Sequence, residues 1–257
     1  MSAKVSWVLE SDAFVPGESI ATIPPGIYEP SCPNCEVGFE PIEIVTDDIL
    51  IPPDSLHTEI LSHIRNFFDD GAKYAALGLV HKTSLLLSGD PGCGKTTVIE
   101  MVANDFISKG GVCLYSESTR YVQDALANFR KVEPTRNLLV IIEDIEACDE
   151  QRLLSILDGE ETIDHVCFVF TTNKEEEISE RLGRPGRIDT RIKMLPPSAA
   201  FREFYVKTKL EYLAPAAHII SIVKKTDGFT LAELRLLLVL TEIQELSVDD
   251  AVSKFKK

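Results

Sequence analysis

Residues 89–97 read G-D-P-G-C-G-K-T-T, a glycine-rich stretch ending in a lysine and two hydroxyl side chains. Gly89 to Thr96 matches G-x-x-x-x-G-K-[ST], a phosphate-binding loop. Its glycines let backbone N–H groups turn inward around a β-phosphate, and the helix that follows adds its positive end. On this pattern Gly89, Asp90, Pro91, Gly92, Cys93, Gly94, Lys95, Thr96 and Thr97 bind a nucleotide. Lys95 bridges the β- and γ-phosphates and Thr96 coordinates Mg²⁺, so ATP and Mg²⁺ are the expected ligands.

A phosphate-binding loop needs acids at the end of a neighbouring strand before it can hydrolyse anything. Leu138–Ile142 (L-L-V-I-I) is followed directly by Glu143 and Asp144. One carboxylate can hold Mg²⁺ through water and the other can polarise the attacking water. Read blandly, Glu143, Asp144 and Glu146 are loop acids, but two acids straight after five apolar residues fit the site better. Val166–Phe170 then runs into Thr171-Thr172-Asn173, which puts an amide, Asn173, one strand on, where it can bond a γ-phosphate or orient water. Gly183-Arg184-Pro185-Gly186-Arg187-Ile188-Asp189 is a stiff loop with two guanidinium groups three residues apart. In an assembly Arg184 and Arg187 could meet a neighbour's γ-phosphate; in isolation the loop is a surface turn paired with surplus acids.

These groups need a sheet with helices to hold them. Ser84–Ser88, Val112–Ser116, Leu138–Ile142 and Val166–Phe170 are short apolar runs of the kind found in parallel strands covered on both faces. Helical segments alternate with them, which is the pattern of an α/β fold. Asp54 is placed to cap a helix through Phe68, and Gly110-Gly111 closes the helix after the loop. The chain divides into an acidic, Pro- and Gly-rich stretch at 1–52, an α/β part at 53–196 and a helical part at 197–257. Short β-like pieces lie at Ile20–Ile23 and Ile42–Thr46, and Ile51-Pro52-Pro53 reads as a linker. In the last part, Thr230 with Glu233 forms a capping box, and Ser247 starts a final helix ending in Lys254, Lys256 and Lys257.

Composition narrows the classes. The 257 residues carry a net charge of −15, which argues against broad attachment to nucleic acid or anionic lipid. Residues 1–50 hold nine acids and only Lys4 as a base. The opening MSAKVSWVLESDAF lacks the apolar core of a signal peptide, and no apolar run reaches the roughly 18 residues of a membrane span. A cytoplasmic protein is the expectation. Cys32 and Cys35 form a C-x-x-C without a second ligand pair, so a turn between short strands fits better than zinc.

The order G-D-P-G-C-G-K-T, L-V-I-I-E-D-I-E, L-L-S-I-L-D-G, T-T-N and R-P-G-R-I-D resembles the AAA branch of the AAA+ ATPases, from about Tyr74 to Leu240. G-F-T-L-A-E-L at Gly228–Leu234 is similar to the start of a helix in that family's lid. The resemblance implies a P-loop α/β core with a five-stranded parallel sheet, a small α-helical lid, and a homo-oligomeric ring, a hexamer, with ATP at its subunit boundaries. It also implies that Lys95 and Thr96 are the Walker A pair, Asn173 is sensor 1, and Arg184 and Arg187 are arginine fingers acting on a neighbour. The family's usual Asp-Glu order is reversed here. The reversed pair is similar to that of the mitochondrial Rieske-protein translocase branch, with Glu143 on the metal side beside Thr96 and Asp144 as catalytic base. A pore loop is less clear: Tyr121-Val122-Gln123 lies in the right interval without the usual Gly, so Tyr121 is either a pore residue or helix packing.

The activity implied is Mg²⁺-dependent ATP hydrolysis coupled to chaperone-like remodelling or translocation of a protein client, with the N-terminal stretch as selector. Alternatives are a nucleotide-gated assembly switch and, less in keeping with the charge, a nucleic-acid loader accessory.

Overall fold

The computed structural model describes residues 6–10, 13–17, 21–32, 36–43, 50, 56–158, 164–210 and 215–255. Cys35, the Ile51–Pro53 linker, the Asp54 cap and Lys256 and Lys257 lie outside them.

Strand β1 (Ser6–Glu10), β2 (Ala13–Gly17), β3 (Gly26–Ser31) and β4 (Gly38–Ile42) come first, then helices α1 (Leu56–Asp69) and α2 (Gly71–Ala76). The central alternation follows: β5 (Lys82–Ser88), α3 (Lys95–Ser108), β6 (Val112–Ser116), α4 (Val122–Val132), β7 (Leu138–Ile142), α5 (Glu150–Asp158), β8 (Val166–Thr172) and β9 (Thr190–Lys193). The chain ends in α6 (Ala199–Leu210), α7 (Ala216–Lys225), α8 (Leu231–Leu238), a π turn at Val239–Ile243, and α9 (Val248–Ser253).

All described strands form one sheet in the order β1-β2-β4-β3-β6-β7-β8-β5-β9. From β6 to β9 the pairings are parallel, the five strands expected, and β3 beside β6 makes a sixth parallel strand. The N-terminal residues continue it: β3 pairs in parallel with β6, and the β3–β4 and β1–β2 hairpins are antiparallel. Of the two β-like pieces expected in this part, Ala21–Ile23 precede β3 rather than form a strand, and β4 ends at Ile42; Ile20 and residues 44–46 lie outside the described residues. What anchors this part is a buried polar junction. Ile23 N–H donates to Glu133 Oε1 at 2.8 Å, and Arg136 binds both Glu133 and the Ile23 carbonyl at 2.7 Å.

β7 explains why the apolar runs carry no alternation. Leu138, Val140 and Ile142 face the core that includes α4, α5 and Phe39, while Leu139 and Ile141 face the core of α1 and α3. A strand covered on both faces needs an apolar residue at every position. Helices α6–α9 enclose a separate core around Tyr205, Ile222, Leu234 and Leu237. The capping box at Thr230 and Glu233 and the Ser247 cap both form. Behind α3, Gly110 N–H donates to Ile107 O and Gly111 N–H to Phe106 O, closing the helix. Among the described residues no helix is long and apolar enough to cross a membrane.

Candidate functional site

The C-terminal ends of parallel strands are where an α/β sheet binds ligands, and three strands end together here. β5 delivers the 89–97 loop, β7 delivers Glu143 and Asp144, and β8 delivers Asn173. The loop turns through residues with left-handed φ, +84° at Gly92 and +96° at Gly94, which only glycine adopts without strain. A side chain at Gly94 would also meet His57 Nε2 of α1 at 3.2 Å. Cys93 points inward and packs in the α1/α3 core, anchoring the loop from beneath.

Lys95 is the hub. Its side chain is buried, and Nζ donates to Gly89 O at 2.5 Å, Asp90 O at 3.2 Å and Asn173 Oδ1 at 2.7 Å. Asn173 passes the connection on, its Nδ2 donating to Asp144 Oδ1 at 2.9 Å. Only one orientation of the amide serves both neighbours, oxygen toward the ammonium and nitrogen toward the carboxylate. Burial lowers the Lys95 pKa, against the opposing pull of Asp144, Glu146 and Asp90.

The two acids stand in different surroundings. Asp144 is exposed, holds a left-handed backbone (φ 49°), and is pinned by its N–H to Thr171 Oγ1 at 3.0 Å. Glu143 is half-buried. Its Oε2 accepts from Thr96 at 3.5 Å and its Oε1 from the Tyr115 hydroxyl at 2.9 Å. Burial raises the Glu143 pKa; the Tyr115 hydrogen bond works against that, and the neighbouring Asp144 charge adds to it. Glu146 Oε1 accepts from the Asn173 N–H at 2.9 Å.

Thr96 and Glu143 fit a Mg²⁺ ion. They form a hydroxyl–carboxylate pair, and no described group of three or more His, Cys, Asp or Glu could hold a metal alone. Mg²⁺ is commonly bound by one or two protein oxygens with phosphates and waters completing the shell.

Around these groups lies a cleft of about 550 Å³, walled on its far side by Leu231, Ala232, Arg235, Leu236 and Val239 of the helical part. That wall is fastened to the loop: Leu231 N–H donates to Gly92 O at 3.0 Å, with Ala232 N–H at 3.4 Å. Loop, acids and Asn173 are thus brought together as the sequence suggested. Tyr115 and the Arg235 wall are additions. Tyr115 could have been suspected as a hydroxyl-bearing aromatic at the end of the strand beside the acids, whereas the wall depends on how α8 docks.

Arg184 and Arg187 are placed elsewhere. Their loop precedes β9 and is held at Ser84, whose N–H and hydroxyl bond Asp189 and whose hydroxyl also bonds the Arg187 carbonyl. Five residue steps along β5 lead from Ser84 to Gly89, about 16 Å at the usual strand rise. The Arg187 side chain reaches the C-terminal residue of α5, pairing through Nε and Nη2 with both oxygens of Asp158. Arg184 is exposed and makes no ion pair with any described residue. Tyr121 stands at the N-terminal end of α4, half-buried against the core with the Arg120 guanidinium 5.1 Å above its ring.

Residues 85–195 match the family described as "ATPase family associated with various cellular activities (AAA)". The chain is 30% identical over 206 residues to the ATP-dependent zinc metalloprotease FtsH 2 of Symbiobacterium thermophilum, covering 69% of this chain and 35% of that protein. It is 27% identical to the proteasome-activating nucleotidase of Aeropyrum pernix, covering 87% and 60%. The probable mitochondrial chaperone BCS1-A of Dictyostelium discoideum is 26% identical, covering 63% and 43%. The match spans only about a third of the first of these relatives. The chain therefore carries an AAA ATPase domain with homologues among FtsH, Cdc48 and BCS1 proteins.

Proposed function

We propose that this AAA ATPase domain binds ATP with Mg²⁺ in the cleft between the 89–97 loop and α8 and hydrolyses it to ADP and phosphate. The observation that carries the reading is the continuous connection Lys95–Asn173–Asp144 beside the Thr96–Glu143 pair. Lys95 and the loop N–H groups hold the β- and γ-phosphates. Asp144, exposed to water and oriented by Asn173, takes the proton as water attacks the γ-phosphorus and the bond to ADP breaks. Thr96 and Glu143 would hold Mg²⁺, which would supply charge neutralisation at the phosphates. The Glu-Asp order is then an active arrangement, as in the translocase branch it resembles.

The arginine loop supports a shared site. At about 16 Å along β5 from its own phosphate loop, it is poorly placed to serve that loop and better placed to present Arg184 to a neighbouring subunit. A homo-oligomeric ring follows, with Arg187 joining once it leaves Asp158. The client proposed is a polypeptide, as the relatives' names (a protease, an activator of the proteasome, a chaperone) suggest. Residues 1–52, 53–196 and 197–257 would serve as selector, motor and lid. A nucleotide-gated assembly switch is favoured by one observation, the packing of Tyr121 at the start of α4 rather than in an open loop.

The test is the solution mass and turnover of Asp144→Asn. The expected result is ATP binding without hydrolysis and a discrete ATP–Mg²⁺-dependent particle absent in ADP, whereas Lys95→Ala fails to bind nucleotide. Wild-type turnover by Asp144→Asn would remove Asp144 from the role, and a monomer in both nucleotides would remove the ring. Partner-stimulated hydrolysis would separate a motor from a switch.

A further inference from the structure

We infer that Tyr115 is a positioning residue for the divalent cation, its phenol holding the Glu143 carboxylate in the orientation that faces Thr96. The inference rests on reading Glu143 as the metal-side acid. Tyr115 sits one residue from the end of β6, opposite Ile141 in the parallel register with β7. The backbone is fastened one step further on, where Glu143 N–H donates to Ser116 O at 3.1 Å. The ring is half-buried and packs against the core formed with α1 and α3, so the hydroxyl is carried on a fixed platform.

From there the hydroxyl reaches two carboxylates, Glu143 Oε1 at 2.9 Å and Glu117 Oε1 at 3.5 Å. A phenol has one proton to give, and the shorter contact marks Glu143 as its acceptor. A phenol ordinarily keeps its proton throughout the neutral range, so the hydroxyl is the donor in this pair. With Oε1 engaged, Oε2 is left toward Thr96.

The need for such a brace follows from the residue type. Glu carries one more rotatable bond than Asp, so an unbraced Glu143 would spread its carboxylate over several rotamers and lose entropy each time it met a cation. The phenol restricts that freedom in advance, the logic by which a partner behind a metal ligand raises affinity. A Glu in the place where the AAA branch usually has Asp is thus accompanied by an aromatic hydroxyl that suits its length.

The experiment measures the affinity of a fluorescent ADP analogue with Mg²⁺ and with EDTA, taking the ratio as the Mg²⁺ coupling. Wild type, Tyr115→Phe, Glu143→Ala and the double variant are compared. Tyr115→Phe removes one oxygen and keeps the packed ring. The coupling is expected to fall about tenfold in Tyr115→Phe, the range of a hydrogen bond to a charged group, with the EDTA affinity unchanged. In Glu143→Ala it should disappear, and adding Tyr115→Phe should then change nothing further. If Glu143→Ala abolishes coupling while Tyr115→Phe retains it, the Tyr115 inference is overturned and the metal-side reading stands. An equal loss with and without Mg²⁺ in Tyr115→Phe would also overturn it, as a merely structural role. Full coupling in Glu143→Ala would overturn the reading of Glu143 and the inference together.

Discussion

Replacing Gly92 by alanine should weaken nucleotide binding through the lid rather than through the phosphates. A Cβ at Gly92 would lie 2.9 Å from Ala232 Cβ and 3.2 Å from Thr230 Oγ1. Carbon atoms in good contact sit about 3.5–4.0 Å apart, so α8 must withdraw by roughly 0.6–1.1 Å. The Leu231 N–H to Gly92 O bond, 3.0 Å long, stretches with it. Two costs are separable. The left-handed backbone, φ +84° at Gly92, costs alanine about 1–2 kcal/mol wherever it occurs. Overpacking against α8 adds about 1–3 kcal/mol, charged whenever the lid closes on the loop. If nucleotide binding requires that closure, its affinity falls by about 5- to 150-fold.

Gly78→Ala isolates the first cost, because Gly78 has φ +65° and nothing lies within 4 Å of its added Cβ. It should lower stability and leave nucleotide affinity unchanged. Ala232→Gly isolates the second, since it removes the atom that Gly92→Ala would strike. Titration of a fluorescent ATP analogue into the two single variants and the double closes a double-mutant cycle. The double variant should regain most of the affinity that Gly92→Ala loses. Wild-type binding by Gly92→Ala, or no recovery in the double, would refute the claim that α8 and the loop form one binding surface.

Arg184→Ala should lose most turnover in the assembled protein while leaving its Tm unchanged. Arg187→Ala should lower both, because it also leaves Asp158 without its guanidinium; equal effects on Tm would contradict the distinction. Arg136→Met takes the guanidinium away from the buried Glu133 carboxylate, whose Oε1 still accepts from the Ile23 N–H. It should destabilise by about 3–5 kcal/mol in urea unfolding, with partial recovery on adding Glu133→Gln. His57 is buried with no described partner for either ring nitrogen, and burial lowers its pKa. Below about pH 6.5 the unfolded chain therefore takes up a proton that the native chain refuses. Stability is full above that pH and declines as pH falls toward the depressed native value, a direction His165 shares. His57→Leu should lose less Tm than wild type between pH 7.5 and 5.5.

Much of this was legible in the residues. The 89–97 loop is defined by local spacing, because only glycines at fixed places allow its backbone, and the acids directly follow an apolar run with no loop between. Strands β5, β6, β7 and β8 fell within two or three residues of the apolar runs because burial on both faces leaves an unmistakable run. Local chemistry also set the ends of α3, α8 and α9, through Gly110, Thr230 and Ser247. The N-terminal stretch was harder to read. Its strands are short and partly polar, and β3, paired with its neighbour β4 on one side, finds its other partner in β6, more than 80 residues away.

Tertiary structure alone decided which groups meet across strands and between subdomains. The 2.9 Å contact from Tyr115 to Glu143 depends on the parallel register of β6 and β7, which a run of apolar residues does not specify. That Arg187 turns to Asp158 while Arg184 stays exposed depends on the docking of α5, which the shared loop sequence does not specify. The seat of α8 on Gly92 joins residues about 140 apart through one carbonyl and the space a missing side chain leaves. Local chemistry is written in neighbouring residues. Contacts between distant ones depend on packing, to which each residue contributes only a part.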